Sequence, residues 1–188
     1  MAGVDTAVLS TLRLVLRAPT GDDAAALCAY HVRNDARFAP WEPRHGSEVA
    51  DHLAWIAWRQ VEYEAGRAAS FLAFDRQASD MLVAQVNLDA ITHVPDSTAM
   101  LSYTVDGAYE GRGYAREAVA AAIAYAFGTL GLRNLSATYD PANARSGGLL
   151  HRLGFVVIAQ TAVIPGMERH MRAQVLAGLC RAAAAPPR

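Results

Sequence analysis

The sequence predicts a mixed α+β domain, a mostly antiparallel central sheet with one parallel crossover, flanked by helices. Two observations carry that class. The runs "ASFLAFD", "MLVAQVNLDAI" and "AMLSYTVD" read as strands, and only the short polar turns "RQASD" and "THVPDST" separate them. Such spacing implies an antiparallel meander. The rhythm then changes to a helix over Tyr114–Leu130, a strand "NLSATYD" and a second helix "ANARSGGLLHRLG". A strand that returns after a helix pairs in parallel.

The remaining elements follow in order. "TLRLVLR" (Thr11–Arg17) alternates apolar and polar residues and predicts a half-buried strand. "PTGDDAAALCAYHVRND" offers Thr20 and Asp22 as caps ahead of apolar residues at helical spacing. "RFAPWEPRHG" is a proline-broken loop. The next helix takes Ser47 as its N-cap and Gly66 as its C′ residue. "FVVIAQTA" and "MRAQVLAGL" predict two closing strands. No internal repeat or linker divides the chain, so residues 1–181 are expected to form one domain, with 182–188, "AAAAPPR", as a frayed tail.

Composition narrows the function. A formal net charge of −1 leaves no basic footprint for nucleic acid. The longest uncharged apolar stretch, Ala118–Leu132, falls short of the roughly 20 residues that span a bilayer. Asp5, Arg13 and Arg17 interrupt any signal-peptide core. Cys28 and Cys180 stand apart, without a C-x-x-C, and read as reduced thiols of a cytoplasmic protein. The six histidines are scattered without ligand spacing, so no metal site is expected.

The stretch "LSYTVDGAYEGRGYARE" runs from a strand through two glycines into a helix. Free N–H groups and the helix dipole there favour an anion, and Gly111 and Gly113 allow close backbone approach. Arg112 and Arg116 add positive charge, so a pyrophosphate is the matching guest. A P-loop would need Gly-Lys-Ser/Thr, and Tyr114-Ala115 stands there instead. A dinucleotide fingerprint would need a third glycine where Arg116 sits.

The run Glu110-Gly111-Arg112-Gly113-Tyr114-Ala115 resembles the acyl-CoA loop of the GCN5-related N-acetyltransferases, Gln/Arg-x-x-Gly-x-Gly/Ala. "DPANARSGGLLHRLGF" is similar to that family's second motif, an Asn-x-x-Ser followed by Leu-Gly-Phe. "RLVLR", "FAPWEP" and "LSYTV" resemble the subfamily that acetylates the N-terminal alanine of ribosomal proteins, the RimJ/RimL type. The likeness spans roughly Leu12 to Leu179. It implies the GNAT fold, with splayed parallel strands at an acyl-CoA slot, and acetyl-CoA as co-substrate without a metal. It also implies that the backbone of Tyr103, Thr104 and Val105 pairs with the pantetheine arm and that Gly111 to Ala115 cradles the pyrophosphate. Asn143 would contact the pantetheine, and Ser146 would give a proton to the departing thiolate. Trp41, Glu42, Asn87 and Tyr103 would border the acceptor groove.

Glu110 departs from the pattern. A carboxylate repels a pyrophosphate, and Arg112 and Arg116 are the neighbours available to offset it. The general base stays open between Glu42 and Glu168, because "FVVIAQTAVIPG" holds no carboxylate. Ser146 and Asn143 also have simple capping roles, Glu117 suits the helix dipole, and Trp55 and Trp58 read as core. The expected acceptor is the N-terminal alanine or serine of a protein or peptide, by direct attack on the thioester. A small amine (amino acid, polyamine or aminoglycoside) and a silent CoA-binding regulator remain the alternatives. Monomer and homodimer are equally compatible.

Overall fold

The computed structural model describes residues 7–42, 45–78, 81–161 and 174–181. Two short strands open it, β1 (Val8–Ser10) and β2 (Leu14–Arg17), then a 3-10 turn (Gly21–Asp23) and helices α1 (Ala24–Phe38) and α2 (Val49–Glu64). The meander follows as β3 (Ala69–Asp75), β4 (Leu82–Thr92) and β5 (Thr98–Val105). Next come α3 (Tyr114–Gly128), β6 (Asn134–Tyr139), α4 (Ala144–Arg152), β7 (Val156–Thr161) and β8 (Gln174–Cys180). The eight strands form one sheet in the order β1-β2-β3-β4-β5-β6-β8-β7. Every neighbouring pair is antiparallel except β5 and β6. This is the predicted meander joined to one parallel crossover.

Both faces of the central strands are covered, which is why "ASFLAFD" reads as a continuous apolar run. Ala69, Phe71 and Ala73 face the larger core with α3, whereas Leu72 and Phe74 face a smaller one with α1 and α2. Ala118, Ala122 and Ala126 recur every fourth residue along α3 and are fully buried. Their small side chains let the helix backbone settle close against the sheet.

Some boundaries differ from the sequence reading. The strand predicted from Thr11 starts at Leu14, because Thr11 N–H and the Leu14 carbonyl close a turn at 2.9 Å. That turn also creates β1, too short and exposed to announce itself. Helix α2 is capped at Glu48 rather than Ser47: Glu48 has extended backbone, and its N–H donates to Asp51 Oδ2 at 3.3 Å. Gly66 follows the helix with φ +67, as the C′ position requires. Trp55 packs partly against the smaller core, but Trp58 is 51 % exposed, so the core reading fails for it.

Glu117 joins the first turn of α3 to the β1–β2 turn. It accepts from Thr11 Oγ1 at 2.6 Å and from the Arg13 backbone and Nε, each at 2.7 Å. Burial alone would raise this carboxyl, but the bonds from Thr11 and Arg13 hold it below the usual glutamate range. The stabilisation is therefore complete above the unfolded-state value of about 4.3 and is lost as pH falls through the lower folded value. Glu117→Gln is expected to cost about 1–3 kcal/mol at pH 7. Thermal melts of the two proteins should converge only once pH has fallen below that lowered native value, where the native carboxyl is protonated as well.

Candidate active site

The glycine turn has the backbone that its composition foretold. After β5, Asp106 accepts from Ala108 N–H at 2.9 Å and caps the 3-10 turn Gly107–Tyr109. Gly111 (φ +69) and Gly113 (φ +82) then take left-handed conformations that other residues adopt only at a cost. Gly113 is the N-cap of α3, so the first free N–H groups of that helix open at the turn. A Cβ at Gly111 would meet nothing within 4 Å, so its positive φ rather than crowding by the protein is what favours glycine there. Arg112 lies with its guanidinium 5.5 Å from the rings of both Tyr109 and Tyr114.

Glu110 does not face the turn unopposed. Its carboxylate pairs with Arg37 of α1 and, at 2.5 Å, with Arg145 of α4. Two guanidiniums around one carboxylate leave net positive charge beside the turn. They come from other elements, rather than from the adjacent Arg112 and Arg116.

Beside the turn the sheet opens. The parallel ladder holds only Thr98↔Asn134, Ala99↔Leu135 and Met100↔Ser136. Beyond it, among the described residues, the β6-facing edge of Leu101–Val105 has no strand partner, while β4 covers the opposite edge. Across this slot, Tyr103 Oη lies 3.0 Å from Ser146 Oγ. Ser146 sits in the first turn of α4, where its N–H donates to Asn143 Oδ1 at 3.1 Å. Asn143 is thus the helix cap. Burial raises the Tyr103 phenol above its ordinary value, so the hydroxyl keeps its proton near neutrality.

On the face toward α1 and α2, a narrow polar pocket of about 40 Å³ adjoins β5. Glu42 and His45 reach it from the α1–α2 connection, Gln85 and Asn87 from β4, and Ser102, Tyr103 and Thr104 from β5. The register Gln85↔Thr104 and Asn87↔Ser102 puts these four on one face. Asn87 Oδ1 accepts from Ser70 Oγ at 2.8 Å, and Thr104 Oγ1 accepts from Tyr30 Oη at 2.9 Å. Glu42 points inward because the chain curls on beyond α1: the N–H groups of Trp41 and Glu42 both donate to the Phe38 carbonyl, at 2.8 and 3.1 Å.

The acetyltransferase (GNAT) domain family matches residues 13–156, three quarters of the sequence. The chain belongs to this family. It is also 31 % identical over 150 residues to the [Ribosomal protein uS5]-alanine N-acetyltransferase of Escherichia coli (strain K12), covering 78 % of this chain and 77 % of that protein. Among solved structures, a ribosomal-protein-S5-alanine acetyltransferase from Vibrio fischeri superposes with a TM-score of 0.84 at 22 % identity, over 96 % of this chain and 100 % of that one. Mycobacterium smegmatis RimJ, solved with CoA-disulfide, gives 0.80 at 22 % identity, over 93 % and 86 %. These likenesses establish the fold and make the chain an N-acetyltransferase.

Within this GNAT enzyme the anticipated residues form two groups. Gly111 to Ala115, Tyr103 to Val105, Asn143 and Ser146 surround the turn and the slot. Glu42, Asn87 and Tyr103 line the pocket, and Tyr103 belongs to both. Trp41 is 45 % exposed next to Glu42 and does not line the pocket. Tyr114 turns its ring inward, 4.9 Å from that of Tyr109, so only its backbone faces the turn. Glu168 lies outside the described residues. Among the described residues, no three His, Cys, Asp or Glu side chains form a group fit for a metal ion. No described helix is long and apolar enough to cross a membrane.

Histidines 31, 45 and 52 went unsuspected as a group in the sequence and meet beside the pocket, which His45 lines while His31 and His52 lie buried behind it. His31 and His45 stack with centroids 3.7 Å apart, and His31 Nδ1 lies 2.8 Å from His52 Nε2. Gaps of fourteen and seven residues carry no ligand signal; the packing of α1 on α2 assembles the group.

Proposed function

We propose that this enzyme transfers the acetyl group of acetyl-CoA to the α-amine of a protein or peptide N-terminus, with alanine or serine of a ribosomal protein first among acceptors. The observation that carries the donor half is the slot beyond Met100 and Ser136, with the glycine turn at one end and the Tyr103–Ser146 pair on its wall. The unpaired edge of Leu101–Val105 offers backbone groups to an amide-bearing arm. The N–H groups from Gly111 to Ala115, with Arg112 and Arg116 nearby, suit a pyrophosphate. Arg37 and Arg145 neutralise Glu110, so the residues present fit the co-substrate. Acetyl-CoA supplies the activated acyl group. The chain's part is to hold the thioester carbonyl at β5, admit the amine from the pocket side, and return a proton to sulfur from Ser146.

The acceptor half rests on the uS5-alanine relative and on the chemistry of amines. An α-amine titrates near ~7.7–8.0 and a lysine near ~10.4, so at pH 7 roughly a tenth or more of the former is neutral, against well under a thousandth of the latter. Among the described residues Glu42 is the pocket's one carboxylate, which gives little depth of negative charge for a polyamine.

The test is thiol release from acetyl-CoA against peptides beginning with Ala, Ser or Met, an N-blocked lysine peptide, spermidine and an aminoglycoside. Turnover on the Ala and Ser peptides, rising as pH climbs toward about 8, is the expected result. Turnover on the small amines alone would overturn the acceptor, and silence with retained CoA binding would point to a regulator.

A further inference from the structure

A histidine group backs the pocket wall at His45. His52 Nδ1 lies 3.0 Å from the Glu48 carbonyl oxygen, which can only accept, so neutral His52 carries its proton on Nδ1. Its bare Nε2 then accepts from His31 Nδ1–H. That leaves a lone pair on buried His31 Nε2, with the Gln85 side chain beside the ring. Burial, followed by the neighbouring His45 and His52, pushes the His31 pKa down to about 3, so it stays neutral. Glu42 Oε1 is likewise buried and without a partner. His45 lies flat on His31, its ring planes 4° apart, with Nε2 3.6 Å from Glu42 Oε1. Of the pocket-lining residues, His45 and Glu42 are the ones whose acceptors, 3.6 Å apart, lie next to each other for a ligand's N–H groups. An ammonium brings three.

We propose that His45, working with Glu42, takes the proton from the acceptor's α-ammonium, and that His31 and His52 are positioning residues that hold its ring. The inference rests on the α-amine reading above. One N–H bond of the ammonium breaks and a proton bonds His45 Nε2, next to the Glu42 carboxylate. The freed lone pair attacks the thioester carbon. When the C–S bond breaks, sulfur takes the Ser146 hydroxyl proton, and a second proton from the amine nitrogen, passed through Tyr103 and Ser146, restores that hydroxyl. The third remains on the amide, and the His45 proton leaves to solvent. Stacking on a neutral, buried ring fixes where Nε2 points, which an exposed loop histidine could not do alone. The titratable groups that meet His45 are Glu42 on its own segment and His31 from α1, with Tyr103 of β5 lining the same pocket; His52 of α2 and Tyr30 lie behind, against His31.

The test compares His45→Gln, Glu42→Gln and His31→Phe with the native enzyme on an Ala-starting peptide between pH 6.5 and 9.5. His45→Gln should lower kcat/KM up to about 10-fold at pH 7, a ceiling set by the roughly one tenth of the α-amine that is already neutral there, and leave acetyl-CoA affinity unchanged. The deficit should widen as pH falls toward 6.5 and shrink to less than about 2-fold above pH 9, where the α-amine is already neutral. Glu42→Gln should behave alike. His31→Phe keeps a ring under His45, so it should lower the rate less and leave the shape of the pH profile unchanged. A deficit constant across pH, or none, would overturn the proton-acceptor role while peptide turnover by the native enzyme leaves the α-amine reading standing. Native turnover on small amines but not on peptides would overturn that reading, and the same pH comparison on the productive amine would still decide for or against His45.

Discussion

Gly113→Asp is expected to weaken acetyl-CoA binding by two or more orders of magnitude while leaving most of the fold in place. The backbone at Gly113 has φ +82, and a side chain there costs roughly 1–2 kcal/mol. A carboxylate at the N-terminus of α3 would also face the pyrophosphate, removing an anion-favouring end worth about 0.3–1 kcal/mol and adding like-charge repulsion. The strain weakens free and bound protein alike, so the loss of affinity comes from the charge; two orders of magnitude correspond to about 2.8 kcal/mol, each 1.4 kcal/mol being about tenfold. The strain subtracts only part of a stability of about 5–15 kcal/mol, so a cooperative melt should survive. Gly113→Ala keeps the strain without the charge and should retain most of the affinity. Calorimetric titration with acetyl-CoA decides, and unchanged affinity in Gly113→Asp would remove the turn from the binding site.

The second large effect is expected at Tyr103 and Ser146. Their hydroxyls lie 3.0 Å apart, and the Ser146 carbonyl is also within 3.3 Å of Tyr103 Oη. When Tyr103 donates to Ser146 Oγ, the serine proton is free to point into the slot. Ser146→Ala should lower kcat by about 10²-fold, the lower end for general acid catalysis, with KM for acetyl-CoA little changed. Tyr103→Phe removes the group that aims the serine and should cost a comparable factor. The double variant should be no slower than the worse single one, because the two hydroxyls act as a unit. Additive losses in single-turnover measurements would instead mean independent roles.

What the sequence made legible was whatever local chemistry dictates. The meander, the alanine-rich helix and the positive-φ glycines follow from neighbours within a few residues, and so does Asn143 as a cap. Contacts between distant segments were out of reach. Glu110 looked like a liability because its partners Arg37 and Arg145 lie 73 and 35 residues away. Glu117 looked like a dipole ornament, yet it anchors Thr11 and Arg13, more than a hundred residues earlier in the chain. Trp58 shares its helix face by spacing with Trp55 but emerges into solvent, since only one of the two reaches the smaller core.

The three-pair ladder between β5 and β6 also bears on how the protein holds together. Strands β1 to β5 form one half-sheet and β6 to β8 another, hung together at one end like two leaves on a short hinge. A co-substrate lying along the open edge would supply rungs that neither leaf provides. Its affinity then serves as cohesion: at a hundredfold excess over Kd, binding adds about 2.7 kcal/mol to stability. A thioester admitted along that parting would leave part of the protein's integrity in the keeping of the molecule the enzyme consumes.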